Sequence, residues 1–385
     1  NDTGIYGRRQ DMLLEYLRRT GRFEQIVHFD EPVTPEQLVK LYRGSSGSTD
    51  QSRLVVRQTV ERLLHRRDGG GVVHRTFVHR GARSGLLGLP DRGGYVDYVR
   101  KQLARNEIGK RLTVFLVYPT NPHFPALADA LEPDFVIADV VDDNRTWYEP
   151  GSEHHERVEA NYREVLARAD VVLANCEPVA DALGQFAPEV HVVANGCEIV
   201  RGPRPPRPVD LAGIPGPVIG YVGNLSDRID LDLLDELAVK RPDWSFVFIG
   251  TAHRDRSALR LDRHKNVHFL GVRPYDEART FIRHFDVALI PHVVNDMTNA
   301  MNPLKAFVYC AAGVPVVATP VAGLDGLGEL ITVAKGVDGF VGAIEDALAA
   351  DHREPDLHIL GPHTWERRAA SVVELLDRAA GLEPD

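Results

Sequence analysis

The chain alternates between short, almost continuous apolar runs and longer stretches whose apolar positions recur at helical spacing. Runs at 111–118 (RLTVFLVY), 134–143 (DFVIADVVDD), 169–175, 190–194, 218–223 (VIGYVG), 244–249 (WSFVFI), 266–270, 286–291 (DVALIP) and 314–319 (VPVVAT) have strand length and lack polar alternation. That pattern fits strands covered on both faces, as in parallel sheets. Shorter strands are expected at 23–29 and 72–78. Helical spacing marks 11–19, 35–42, 58–67, 95–106, 153–169, 177–186, 229–237, 275–283, 303–312, 339–350 and 364–380. Regular strand–helix alternation predicts an α/β class with mostly parallel sheets.

The most sharply drawn stretch is 286–320, read as strand, loop, helix, turn and strand. Pro303 suits the first helical turn, where its missing N–H costs nothing, and Gly313 suits the stop. Asn302 is expected as the N-cap before Pro303. The strand-to-helix loop lies where open α/β sheets bind ligands. A helix N-terminus at Pro303, Leu304 and Lys305, with the lysine charge one turn in, suits a phosphate group. The alternative is a solvated surface lysine and an ordinary cap. His292, just after the strand, is either a satisfied loop residue or a donor to phosphate.

The string N-P-L-K-x-x-x-Y-x-A-A-G-V-P-V-V-A-T from Asn302 onward resembles the donor-binding motif of GT-B glycosyltransferases of the family-4-like (group 1) type. It is most similar to the bacterial surface-polysaccharide enzymes of the teichuronic acid kind. The resemblance implies two Rossmann-like domains facing across a cleft and a nucleotide-diphosphate sugar as donor. It implies phosphates on the Lys305 helix, with no metal and no other cofactor. One feature departs from it. The family usually has a glutamate just before the tyrosine, to hold the ribose hydroxyls, and often another eight residues earlier; here those positions are Val308 and Ala300, so ribose recognition is expected to differ, to come from a residue such as Asp296, or to be absent.

The resemblance also places the loop Gly223, Asn224 to Arg228 beside the diphosphate, with Arg228 suited to bidentate pairing. A surface arginine near a helix start is the plain alternative. The backbone at Gly271, Val272 and Arg273 is implied to touch the base. In the first half, the strand at 134–143 ends in Asp139, Asp142 and Asp143. Asp142, then Asp143, are candidates for a general base or for steadying positive charge on the anomeric carbon. Against this stands simple N-capping of a helix near 145–148. Asn1 to Gly7 looks like the family's Gly-containing loop, with its strand falling before Asn1, or like a loose terminus.

At 385 residues two domains are expected. The expected division is 1–201 on the acceptor side, a Pro-rich linker at 202–217, a nucleotide-sugar domain at 218–362, and a helix at 363–385 returning to the first domain. Net charge of −10 argues against a general nucleic-acid binder. The stretch from Arg53 to Arg111 is nevertheless basic by about +9. It is either a set of solvated helix faces or a contact for an anionic membrane or phosphate-bearing acceptor. No run spans a bilayer. Cys176, Cys197 and Cys310 lack metal spacing and read as buried thiols, so a cytoplasmic protein, peripheral at the inner membrane face if membrane-bound, is expected. The expected activity is sugar transfer to a hydroxyl of a glycan, glycolipid or small-molecule acceptor. A non-catalytic subunit or sugar-nucleotide sensor and a sugar-nucleotide 2-epimerase are the alternatives.

Overall fold

The computed structural model describes residues 5–43, 49–64, 71–82, 88–106, 112–251, 258–350 and 354–382. Gly4, the polar loop 44–48, residues 83–87 of the Gly/Arg-rich stretch and the turn 252–253 lie outside the described residues. The chain divides into two compact units. The first holds 10–194 and the stretch from Glu366 onward; the second holds 5–9 and 195–365.

In the first unit, β1 (Ile26–Phe29) and β2 (Val72–Arg75) form a parallel pair. A separate sheet runs β3 (Val114–Val117), β4 (Phe135–Val140), β5 (Val171–Ala174) and β6 (His191–Val192), all parallel. Every residue of β5, and β4 from Val136 on, is buried, which is why these strands read as unbroken apolar runs. The helix Phe124–Leu131 was not evident in the sequence. Pro119 and Pro122 looked like breakers there, yet Pro125 falls in the helix's first turn, where proline is tolerated.

The second unit is one six-stranded parallel sheet, ordered β12 (Ile331–Val333), β11 (Val316–Ala318), β10 (Val287–Ile290), β7 (Val218–Val222), β8 (Ser245–Ile249) and β9 (Val267–Phe269). Strand order therefore reverses between β7 and β10, the kind of position at which open α/β sheets bind ligands. One apolar cluster gathers Phe281, Phe285, Phe307 and Tyr309. Another gathers Tyr221, Leu237, Trp244, Phe246 and Phe340. Each large side chain so buried stabilises the fold by roughly 1.5–3 kcal/mol. Strand β12 escaped the sequence reading because it is three residues long and two of them are exposed.

The Pro-rich stretch 202–217, expected as an extended linker, packs on the second unit instead. It contains the short helix Val209–Ala212, and Leu211 is fully buried in a cluster with Val218 and Phe285. Arg207 fastens the turn by donating to the carbonyls of Leu211 and Ile214. The helix Trp365–Ala379 belongs to the first unit from Glu366, where Arg22 pairs with Asp377 at 2.7 Å. The three cysteines are buried thiols, none of them in a disulfide. Among the described residues no helix is long and apolar enough to cross a membrane.

Two glycines set how the β7 and β8 ends meet. Gly250 has φ +139°, and a Cβ there would lie 2.1 Å from the Gly223 carbonyl oxygen. The two strand ends can come this close only because Gly250 bears no side chain. Gly250→Ala should therefore cost about 3 kcal/mol, from strain and the backbone clash together. Urea unfolding checks this; an unchanged midpoint would show that the strand ends do not need the contact.

Candidate functional site

The reversal point carries most of the residues singled out in the second half of the sequence. Lys305 lies in the first turn of the helix Leu304–Ala311. Its Nζ is 3.3 Å from the Tyr221 hydroxyl at the end of β7 and 3.3 Å from His292 Nε2 after β10. It also lies over the Tyr221 ring, 4.9 Å from the centroid. A Cβ on Gly223 would sit 3.5 Å from Lys305 Cε, so the lysine stem runs alongside that glycine. An ammonium can only donate, so His292 Nε2 accepts, and the ring is neutral with its hydrogen on Nδ1. Burial, then Lys305, then Arg228 hold the His292 imidazole well below the usual histidine range. Two cations thus bear on one buried imidazole.

The backbone fixes this arrangement. Ile229 and His292 pair as an antiparallel bridge, and Val293 N–H donates to the Arg228 carbonyl at 2.9 Å. The Thr319 hydroxyl donates to the His292 carbonyl at 2.7 Å. The Tyr221 hydroxyl donates to the Asn224 carbonyl at 3.0 Å, and the exposed Asn224 side chain accepts from Thr251. Gly271 accepts from Gly250 N–H, placing Gly271 and the buried Val272 one strand further along the same edge. Gly223, Asn224, Arg228, His292, Leu304 and Lys305 are therefore neighbours, with Gly271 and Val272 beside them.

Asn302 is a correction. The helix begins at Leu304, its N-cap is Pro303 in extended conformation, and no side chain caps it. Asn302 instead fastens two distant loops. Its Oδ1 accepts from Asn195 N–H at 2.8 Å, its Nδ2 donates to the Gly323 carbonyl at 2.7 Å, and its carbonyl accepts from Asn195 Nδ2 at 2.7 Å. Long-range hydrogen bonds outcompeted the local cap. The helix's first N–H groups are consequently not taken by a capping side chain, which suits an anion. Val308 packs against the apolar core, and Ala300 closes the short helix Asp296–Asn299, in which Asp296 is exposed.

Two tyrosines were missed as site residues. Tyr221 read as strand core, and Tyr309 only as a letter of the motif. The Tyr309 hydroxyl accepts from Val222 N–H at 2.8 Å and so pins the helix to the strand just before Gly223. A buried side chain four residues after a lysine in one helix was the available signal.

The aspartates of the first unit differ from each other. Asp143 is 4 % exposed, and both its oxygens are taken by the Arg145 fork at 2.9 and 2.8 Å. It also caps the turn Asn144–Trp147. The structure thus gives Asp143 the capping role. Asp142 is half-buried at φ +61°, a left-handed conformation uncommon outside glycine. Asn175, fully buried, holds it there: Asn175 Nδ2 donates to Asp142 Oδ1 at 2.9 Å, and its Oδ1 accepts from Asp142 N–H at 3.3 Å.

Comparison with known proteins bears on the fold. The chain shares its fold with sucrose-phosphate synthase from Thermosynechococcus elongatus, at a TM-score of 0.58, 15% identity and coverage of 93% of this chain and 99% of that one. It shares it also with Anabaena HepE, solved with UDP and glucose, at a TM-score of 0.54, 16% identity and the same coverages. The fold is therefore GT-B. Residues 216–350, which lie within the second unit, match the sequence model of the family described as glycosyl transferases group 1. The chain is also 29% identical over 218 residues to TuaH of Bacillus subtilis (strain 168), named as a teichuronic acid biosynthesis glycosyltransferase. That match spans 52% of this chain and about half of the relative, 54%.

Removing the Tyr309 hydroxyl should leave Val222 N–H without its partner. Tyr309→Phe is expected to cost about 1–3 kcal/mol. Urea denaturation measures it; a loss under about 0.5 kcal/mol would mean the hydroxyl does not pin the strand.

Proposed function

We propose that the protein transfers a sugar from a nucleotide-diphosphate donor to a hydroxyl of a glycan, glycolipid or small-molecule acceptor. The observation that supports this most is the Lys305 ammonium at the sheet reversal, beside Arg228, His292 and an uncapped helix N-terminus. As the glycosidic bond breaks, negative charge gathers on the departing diphosphate. Fixed cations and dipoles aimed at that charge lower the barrier without reorganising. In this reading they do the work that a bound metal does in other transferases, and Gly223 lets the phosphates approach the backbone closely. Gly271 and Val272 flank the nucleoside end.

Asp142 is assigned to the acceptor hydroxyl or to the positive charge on the anomeric carbon. Asn175 holds its carboxylate in place through one oxygen, which fixes where that carboxylate points. The replacement of the usual donor-binding glutamates by Ala300 and Val308 favours a second reading, a sensor that binds sugar nucleotides without turning them over. An epimerase would turn over without acceptor. Product analysis with and without acceptor separates all three.

The acceptor's location bears on the helices Pro35–Tyr42 and Thr49–Leu64. They expose Val39, Tyr42, Val60, Leu63 and Leu64. Exposed Lys40, Arg43, Arg53 and Arg57 lie on the same two helices and the turn after the first. Apolar side chains ringed by cations suit an anionic bilayer surface. Part of the charge between Arg53 and Arg111 is spent internally, since Arg62 pairs with buried Asp30 at 2.7 Å.

Lys305→Ala should weaken nucleoside-diphosphate binding by about 10- to 100-fold, in line with loss of a charge-assisted contact. Calorimetric titration measures it; an unchanged Kd would remove Lys305 from the phosphate site. Asp142→Asn should lower kcat by about 100-fold or more with donor affinity kept. Steady-state kinetics at saturating donor decide; an unaltered kcat would refute the role. Vesicles rich in anionic lipid should sediment the protein at low salt, and Arg53→Glu with Arg57→Glu should abolish this. Equal sedimentation of both would show that these helices are not the contact.

A further inference from the structure

Resting on the diphosphate reading above, one arrangement at the site has a consequence for how an anion binds there. His292 is 2 % exposed, and its Nε2 is occupied as acceptor for the Lys305 ammonium. Its Nδ1 is buried and has no hydrogen-bond partner in the structure. A buried ring N–H without a partner is expensive to maintain. The groups that bear on the ring are Lys305 from the Leu304–Ala311 helix and Arg228 from the loop after β7. Tyr221 of β7 shares the lysine. Both charged neighbours are cations, so the imidazole stays neutral while the site is without an anion.

A diphosphate reverses that balance. Its negative charge draws the Lys305 ammonium away from His292 Nε2, because an ammonium–phosphate bond is stronger than an ammonium–imidazole bond. The freed Nε2 lone pair can then take a proton from solvent, and the anion that displaced the lysine favours the charged ring. Lys305 keeps its Tyr221 contact as a pivot.

We infer that His292 is a proton-switched ligand of the diphosphate subsite: neutral while it accepts from Lys305, cationic when an anion is bound, so that the site takes up a proton together with its diphosphate. The step forms one N–H bond on the imidazole and consumes one solvent proton; nothing is oxidised or reduced. The positive charge of the site is thereby largest when its anionic ligand is present and smaller when it is absent.

Binding should tighten as pH falls, because the bound state holds more protons than the free state. The free ligand's own behaviour has the opposite sign. The terminal phosphate titrates at about pH 6, and its protonation weakens binding to cations. The experiment is calorimetric titration of the full chain with UDP, GDP and ADP at pH 7, in two buffers of different ionisation enthalpy, and then across pH 6.5–8. The wild type should take up about half a proton or more per nucleoside diphosphate, with affinity rising by up to about tenfold per unit fall in pH. His292→Gln keeps an acceptor for Lys305 but cannot titrate, so it should bind more weakly, without proton uptake and without that slope. Binding by the wild type with no net uptake, or uptake equal to that of His292→Gln, overturns the inference and leaves the diphosphate site standing. No binding of any of the three nucleotides overturns the site itself. Should His292→Gln fail to fold, nitrogen-15 spectra of the wild-type imidazoles serve instead. One ring must change from the Nδ1–H neutral form to imidazolium on adding nucleotide, and its staying neutral refutes the switch.

Discussion

Two cations and one neutral imidazole, gathered where strands β7 and β10 diverge, constrain the rest of the second unit. Lys305, Arg228 and His292 come from three different segments of chain. Their meeting requires the strand order to reverse between β7 and β10, so that one loop can turn toward the Lys305 helix while the other runs beside it. It requires Tyr309 to pin that helix to the end of β7. It requires Thr319, the residue just after β11, to hold the His292 carbonyl. Positive charge concentrated by backbone architecture is a standing bias toward an anion, and the helix N-terminus adds to it without adding a side chain.

The first unit contributes strain rather than charge. An aspartate in the left-handed region is kept there by a fully buried asparagine, and the neighbouring aspartate is locked to an arginine. The pair shows how adjacent identical side chains take different work. Asp143 is fixed by its own cap and by Arg145, which also stacks 4.9 Å over Phe186. Asp142 is held by Asn175 and is half-buried.

Most strands were legible because strands buried on both faces write themselves as apolar runs, and helices because their faces repeat. What was not legible depended on partners far away in sequence. Asn302 looked like a cap from its neighbours, but Asn195, 107 residues earlier, claims its side chain. The segment 202–217 looked like a linker from its prolines, but Leu211 anchors it to the core. His292 was recognisable as a candidate, whereas its use as the acceptor for Lys305 follows from the course of a loop that carries no periodic signal. The Lys305 motif itself was readable because its chemistry is local: strand, loop, helix start and lysine lie within one βαβ segment.

The central claim, that the sheet reversal binds the diphosphate of a sugar nucleotide, is tested most directly by thermal unfolding against a panel of UDP-, GDP-, ADP- and dTDP-sugars. A ligand that binds only the native state must raise the melting temperature by mass action. A rise with one nucleotide class in the wild type, lost in Lys305→Ala, is the predicted result. No rise with any of them at millimolar concentration would contradict the claim and turn the missing carboxylates at Ala300 and Val308 into evidence for a different ligand.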